Sequence, residues 1–354
     1  MLFPRRRDRG AIAGWAAVFV ALGALLGMAF LPSPYVVEQP GPTFDTLGET
    51  DAGPLISVPA DLDHPDADGS LTLLTVSIAG NPQRPLTWVD VAGAFLDPAD
   101  EILPMESVYA PEETIEQSNE AGRIEMESSQ AAAIAAALLH EGYEIDAEVT
   151  IAEVLADSPA DGVLEEGDRI LAVNGDPAYD VYSIRESIAA VDGETTFDIE
   201  RDGQPMTVAV EPIETQGQRL VGIVPQNSFT FPIDVSIELP NVGGPSAGMM
   251  FALGIVDRLT EGSLTGGVDW AGTGTISATG DVGPIGGIEQ KMHGALAAGA
   301  DWFLAPVENC GEVVGNVPDG LQVVAVDTLD DAMAAIETVA SGGDTSALPT
   351  CTAD

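Results

Sequence analysis

The sequence predicts a multidomain protein of mixed α+β and α/β class, in which one N-terminal transmembrane helix precedes two further domains. Three observations support this prediction. An uncharged run at residues 11–31 directly follows a cluster of arginines. Between residues 148 and 213, short alternating segments separated by Asn-Gly and Asp-Gly turns are typical of a β-rich domain. Over residues 219–340, strand-like and helical patterns alternate, which is typical of an α/β domain.

The transmembrane prediction rests on the first 31 residues. Residues 1–10 form a basic end that includes Arg5, Arg6, Arg7 and Arg9, and the run 11–31 would form a helix of about 31 Å, which matches a bilayer core. A cleaved signal peptide is the alternative, but its apolar region is roughly 7–15 residues long and ends at an Ala-x-Ala site. We expect a single-pass anchor in the lipid of the cell membrane, with the basic end in the cytoplasm and the bulk of the chain extracytoplasmic.

The charge of the chain limits its partners. The formal net charge is −45, and the acidic residues are spread along the sequence. Such a surface repels phosphate backbones, so we expect no nucleic acid partner. A solvated acidic surface is the simplest interpretation of this composition.

Residues 32–147 are predicted to form a linker and an N-terminal extracytoplasmic region, with the proline- and glycine-rich stretch 32–54 as the linker itself. Residues 341–354 are predicted to be a loose tail. Cys310 and Cys351 lie in the part expected outside the cytoplasm, where an oxidising compartment permits a disulfide between them. No Cys-x-x-Cys pair or Cys/His cluster is present, so we expect no metal and no cofactor.

Lys291 is the only lysine of the chain, and it is not part of a Gly-Lys-Ser/Thr motif. A phosphate-binding Walker A loop is therefore missing, which excludes ATP-driven unfolding within this chain.

The residues around Lys291 suggest a catalytic role for this lysine. The segment 286–300 has a helical pattern, and one apolar arc of it contains Ile288, Lys291, Met292, Ala295 and Leu296. The opposite, wetter arc contains Glu289, Gln290 and His293. Burial would lower the pKa of the lysine from about 10.4 toward about 7–8, which suits a general base. A lysine that extends its amine to the rim of the helix is the alternative.

A second segment, Gly-Gly-Pro-Ser-Ala-Gly at residues 243–248, precedes another helical pattern. Pro245 suits the first turn of a helix, which places Ser246 beside unpaired backbone N–H groups. Those donors and the helix dipole could stabilise an oxyanion. A serine that only caps the helix is the alternative.

The run SPADGVLEEGDRILAVNGDP at residues 158–177 resembles the PDZ domain. The resemblance covers residues 148–212 and implies a module that adds an extended peptide to a sheet edge and holds its terminal carboxylate on backbone N–H groups. The sequence shows no clear carboxylate loop, and residues 141–146 are the nearest candidate by position. A spacer without binding function is the alternative.

The segments around Ser246 and Lys291 together resemble the Lon-type serine–lysine peptidases. The motif Gly-Pro-Ser-Ala-Gly stands at residues 244–248, Thr-Gly-Thr-Ile at 273–276 and Pro-Ile-Gly-Gly-Ile-Glu-Gln-Lys at 284–291. The resemblance covers residues 219–338 and implies a nucleophile, a general base, a threonine that hydrogen-bonds the lysine amine, and two supporting loop residues: Ser246, Lys291, Thr273, Gly244 and Pro245. Val242-Gly243 and Glu289-Gln290 depart from the usual charged pairs of the family.

The resemblance implies an ATP-independent serine endopeptidase that acts on protein or peptide substrates, with a PDZ domain that recruits or gates them and with assembly into a homo-oligomer. One rival is the Ser-Asp-His triad of the α/β-hydrolases, since Gly-Pro-Ser-Ala-Gly also fits Gly-x-Ser-x-Gly and the residues Ser246, Asp281 and His293 occur in the right order. Another rival is a catalytically inactive PDZ scaffold.

Overall fold

The computed structural model describes residues 9–50, 53–65, 68–109, 114–215, 218–239 and 242–352. Its helices, in chain order, are α1 (Arg9–Ala29), α2 (Trp88–Ala94), α3 (Met105–Val108), α4 (Ile115–His140), α5 (Val181–Ala189), α6 (Gly248–Leu259), α7 (Ile288–Ala298), α8 (Cys310–Val313) and α9 (Leu329–Ala340). Its strands are β1 (Tyr35–Asp45), β2 (Glu49–Thr50), β3 (Gly53–Pro54), β4 (Ile56–Ser57), β5 (Ser70–Ala79), β6 (Glu101–Pro104), β7 (Asp146–Val154), β8 (Arg169–Val173), β9 (Asp176–Pro177), β10 (Thr195–Arg201), β11 (Gln204–Val210), β12 (Ile213–Thr215), β13 (Gln218–Leu220), β14 (Ile223–Thr230), β15 (Ser236–Ile237), β16 (Asp269–Gly272), β17 (Thr275–Ile276), β18 (Val282–Gly283), β19 (Trp302–Pro306) and β20 (Gln322–Val326). The chain forms two compact units, residues 1–42 with 76–118 and residues 43–75 with 119–354.

In the first unit, β1 and β6 pair antiparallel from Tyr35 opposite Pro104 to Glu38 opposite Glu101. The prediction of a linker over residues 32–54 is wrong, because this stretch contains β1, in which Val36 and Val37 are buried. The prolines that suggested a linker lie outside residues 35–38, the part of β1 that pairs with β6. Proline has no backbone N–H, but at these positions it removes no hydrogen bond between β1 and β6.

Helix α1 occupies most of the predicted transmembrane run, but no helix in the part of the chain that the structure describes is long and apolar enough to cross a membrane. The transmembrane prediction for residues 11–31 is therefore not supported. Residues 1–8 of the predicted basic end, Arg5, Arg6 and Arg7 among them, lie outside the described residues.

In the second unit, β5, β16, β19 and β20 are parallel neighbours. Helix α7 provides the crossover between β16 and β19, as a parallel pair requires. Helix α6 is buried from Gly248 to Arg258, and its apolar residues lie in the main core with Trp270 of β16. A helix that is apolar on nearly all sides is stable only when it is enclosed by other elements. Because α6 is enclosed, the position of its first turn is fixed, and so is the end of the loop that leads into it.

The second sheet of this unit has the order β11-β10-β8-β7-β14, and its pairs are antiparallel. Its own core includes Ile170, Val173 and Phe197. The predicted Asn174-Gly175 turn joins β8 to β9, and both residues have positive φ, 52° and 91°, as a tight hairpin turn requires. Strand β14 was assigned from the sequence to the α/β domain, but it pairs with β7 and forms an edge of this sheet.

The C-terminal residues 341–352 are attached to the second unit. Cys310 and Cys351 form a disulfide, and the Ala325 N–H donates to the Pro349 carbonyl at 3.0 Å. The disulfide closes a loop with a sequence separation of 41 residues. In the chain-entropy account such a closure contributes about 4 kcal/mol to stability.

Candidate active site

Ser246 lies in a loop just before α6. The helix begins at Gly248 with Ala247 as its N-cap residue, so Ser246 is two residues before the first helical residue, and the predicted position of Pro245 in the first turn is wrong. Gly244 has a φ of +91°, which a residue with a side chain rarely adopts, and this conformation turns the chain into the loop. Ser246 itself is half-buried.

Two groups of hydrogen bonds hold this loop. On one side, the Ser246 carbonyl accepts from the Gly274 N–H at 2.9 Å and from the Thr273 hydroxyl at 3.0 Å. On the other side, the Ser129 hydroxyl of α4 donates to the Pro245 carbonyl at 2.9 Å, and the Gly244 N–H donates to the carbonyl of Gly122 at 2.9 Å. The backbone on either side of the predicted nucleophile is therefore fixed.

Lys291 lies in the first turns of α7 and is only 2 % exposed. Its Nζ donates to the Thr273 hydroxyl at 3.1 Å, and Thr273 is fully buried. The same hydroxyl donates to the Ser246 carbonyl, so two hydrogen bonds in series join the lysine to the serine loop. Burial in this position disfavours the charged ammonium form of the amine.

The predicted orientation of α7 is correct for its central arc, since Ile288, Met292 and Ala295 are buried beside Lys291. Two assignments on the helix are wrong. Gln290 is 2 % exposed instead of facing solvent, and Leu296 is 38 % exposed instead of buried. The helix contacts both β19 and α8, so a second side of it is covered, which a prediction based on one apolar arc does not anticipate.

Asp281 of the rival triad is engaged elsewhere. Its carboxylate accepts from the hydroxyls of Ser277 at 2.7 Å and Thr279 at 2.6 Å. The Asp281 carboxylate also influences Tyr182 on α5. Burial and the negative charges of Glu186, Glu308 and Asp281 raise the pKa of the Tyr182 hydroxyl to about 12. Within the described residues, no hydrogen bond joins Asp281 to His293. The described residues therefore contain no Asp281–His293 hydrogen bond, whereas Lys291 is joined to the serine loop through Thr273.

The structure adds site residues that the sequence did not suggest. Ser129 and Gly122 of α4 both contact the serine loop. Ser129 is 116 positions from Pro245 in the chain, so no local pattern connects them. Among the described residues, no group of three or more His, Cys, Asp or Glu side chains is arranged to hold a metal ion.

Comparisons with known proteins find two family matches in the chain. Residues 225–338 match the family model of the Lon protease (S16) C-terminal proteolytic domain, and residues 123–195 match that of the PDZ domain. Lon protease 2 of Herpetosiphon aurantiacus is 39 % identical over 108 residues, which are 28 % of this chain and 13 % of that protein. Lon protease 2 of Bacillus subtilis is 34 % identical over 103 residues, which are 28 % of this chain and 18 % of that protein. The chain thus spans less than a fifth of the length of these curated relatives.

Solved structures also match part of the chain. The PDZ domain of an SdrC-like protein from Listeria monocytogenes is 20 % identical, with 22 % of this chain and 85 % of that chain covered and a TM-score of 0.20. A solution structure from Geobacillus thermodenitrificans is 24 % identical, with 22 % and 94 % covered and a TM-score of 0.20. By the two family models and the Lon relatives, the chain carries a PDZ domain followed by a C-terminal proteolytic domain of the Lon family, which is a serine-type peptidase domain.

Proposed function

We propose that this chain is an ATP-independent endopeptidase that cleaves protein or peptide substrates outside the cytoplasm, with Ser246 as nucleophile and Lys291 as general base. The observation that carries the proposal is the buried Lys291 amine, which is joined through the Thr273 hydroxyl to the backbone of Ser246. Lysine is rarely enclosed in this way without a reason, because burial of its charged form is costly.

The mechanism follows from these positions. Neutral Lys291 takes the proton of the Ser246 hydroxyl as the serine oxygen attacks the scissile carbonyl. Within the described residues, the N–H groups of Ser246 and Ala247 donate to no protein acceptor, so both are available to the oxyanion. The ammonium of Lys291 then returns the proton to the leaving amine, and water hydrolyses the acyl-enzyme.

The missing Walker A motif supports independence from ATP. The disulfide between Cys310 and Cys351 supports a location outside the cytoplasm, since such bonds persist in oxidising compartments. Assembly into a homo-oligomer, which the family resemblance implies, is part of the same proposal and is measurable as solution mass.

Edge strand β14 supports a peptide-binding role for the PDZ domain. One side of β14 pairs with β7, and α5 contacts β14 beside it. An extended peptide can add to such an edge through main-chain hydrogen bonds. Gly222, with a φ of +84°, and the short strand β13 precede β14, which makes residues 218–222 a better candidate for the carboxylate loop than residues 141–146.

The proposal predicts proteolysis without nucleotide. Purified protein should degrade unfolded casein at the same rate with and without ATP, because no phosphate-binding loop couples the two. The readout is release of acid-soluble peptides, and a Ser246→Ala protein serves as the blank. Degradation that begins only when ATP is added would contradict the proposal, as would an equal rate from the Ser246→Ala protein.

Gating by the PDZ domain is supported by the contacts of one buried carboxylate. Asp180 caps α5 by accepting from the Ser183 N–H at 2.8 Å, and it also accepts from the Ala278 N–H at 2.6 Å. Ala278 follows β17, which follows Thr273 in the chain. The helix beside the proposed peptide groove is thus bonded to the segment that carries the partner of Lys291.

An Asp180→Ser variant tests this contact. Serine still caps α5, but its shorter side chain cannot also reach Ala278, so we expect kcat for a peptide substrate to fall about 3–10-fold, the effect of one lost hydrogen bond. Asp176→Ser on β9, whose side chain is exposed, is the matched control and should retain the full rate. An unchanged kcat in the folded Asp180→Ser protein would refute coupling through this residue.

A further inference from the structure

We propose that Ser129 of α4 is a positioning residue for the oxyanion hole, because it fixes the direction in which the Ser246 N–H points. This inference rests on the proposed function and assigns a role to a helix that none of the sequence motifs of the site includes. Ser129 is 6 % exposed, and its hydroxyl donates to the Pro245 carbonyl at 2.9 Å.

The planarity of the peptide bond transmits this contact. The Pro245 carbonyl and the Ser246 N–H belong to one planar trans unit, in which the two groups point in opposite directions. A hydroxyl that holds the carbonyl toward α4 therefore holds the N–H away from α4.

The next peptide unit is held in the same manner from the other side. The Ser246 carbonyl accepts from the Gly274 N–H and the Thr273 hydroxyl, so the direction of the Ala247 N–H is fixed as well. Within the part of the chain that the structure describes, neither of these two N–H groups donates to a protein acceptor. Two oriented donors beside the nucleophile are what a developing oxyanion requires.

The contact between α4 and the loop leaves little freedom for another arrangement. Gly122 and Ser129 are seven residues apart, about two helical turns, so they face the loop from the same side of α4. A Cβ added to Gly243 would lie 3.1 Å from the carbonyl carbon of Gly122, and one added to Gly248 would lie 2.9 Å from the Ser129 hydroxyl. The loop thus fits against α4 at both contacts. The Pro245 carbonyl accepts from the Ser129 hydroxyl at 2.9 Å and, within the turn, from the Gly248 N–H at 3.4 Å, so Ser129 supplies the shorter of the two hydrogen bonds that hold the carbonyl direction.

The experiment compares Ser129→Ala with Ser128→Ala, its exposed neighbour on the same helix. In Ser129→Ala, kcat for a peptide substrate should fall about 10–100-fold with little change in KM, since one oxyanion donor is loosened rather than removed and complete loss costs about 10²–10³-fold. A peptide boronate, which forms a tetrahedral adduct with the serine, should bind more weakly by a similar factor. The pH at half-maximal kcat should stay constant, because Lys291 is untouched. Ser128→Ala should match the unmodified protein in all measurements.

The thiol of Ser129→Cys is a weaker hydrogen-bond donor than the hydroxyl, so its kcat should lie between those of Ser129→Ala and the unmodified protein. This variant provides the comparison if Ser129→Ala fails to fold. The inference is overturned if Ser129→Ala or Ser129→Cys is folded and keeps the original kcat and boronate affinity. It is also overturned if the loss appears only in KM or as a shifted pH profile. Persistent hydrolysis by a Ser246→Ala protein is a different outcome, which would reject the proposed function itself.

Discussion

Replacement of Ser246 by alanine is expected to reduce peptide hydrolysis by at least about 10³-fold and leave the protein folded, since the nucleophile and its base act as one unit. The fold should persist because the loop is held by backbone groups and by Thr273 and Ser129, none of which contacts the loop through the Ser246 side chain. Initial rates with a fluorogenic peptide, together with thermal unfolding, measure both parts of this expectation.

His293→Ala is the matched control for this variant. His293 is half-buried on α7 and should be dispensable, so the variant should keep most of the activity. If His293→Ala were inactive and Lys291→Ala active, the serine–lysine account would be wrong and the Ser246, Asp281 and His293 triad would replace it.

Replacement of Lys291 by methionine should also abolish turnover, with no loss of stability. Methionine has a similar length and no charge, so the buried cost of the amine disappears, and we expect the free energy of unfolding to be unchanged or higher by about 1 kcal/mol. The Thr273 hydroxyl keeps a partner, because it still donates to the Ser246 carbonyl. Chemical denaturation of the variant measures the stability, and a loss of several kcal/mol would show that the lysine is mainly structural.

Lys291→Arg separates charge from basicity. Its guanidinium stays protonated near neutral pH and is larger than the enclosed site allows, so this variant should be inactive and less stable. In the unmodified protein, kcat should be lost as pH falls through one apparent pKa below the value of about 10.4 for free lysine, since only the neutral amine accepts the serine proton. A profile that keeps full activity down to pH 5 would contradict a lysine base.

Most of what could be predicted about the site came from short sequence motifs. The glycine-flanked Ser246 and the helical phase of Lys291 depend on neighbours in the chain, and the structure brings Lys291, Thr273 and the serine loop together. The contacts of Ser129 and Gly122 could not be predicted in this way. They join segments more than a hundred positions apart and depend on tertiary packing, to which local periodicity is insensitive.

The same limit explains the corrected parts of the fold. The sequence assigned residues 223–230 to the α/β domain because it does not reveal that β14 pairs with β7, which is distant in sequence. Prolines near β1 suggested a linker because composition does not reveal that Val36 and Val37 are buried. Gln290 is buried on a helix that contacts both β19 and α8, and a prediction based on one apolar arc omits the second contact.

The most direct test of the central claim is covalent labelling with an acylating serine-peptidase probe, followed by peptide mapping of the modified residue. Labelling should occur at Ser246 with one probe per chain, should be suppressed by a competing peptide substrate, and should be at least about 10³-fold slower in Lys291→Met. Modification of a different serine, or unmodified Ser246 in a preparation that still cleaves peptides, would contradict the account.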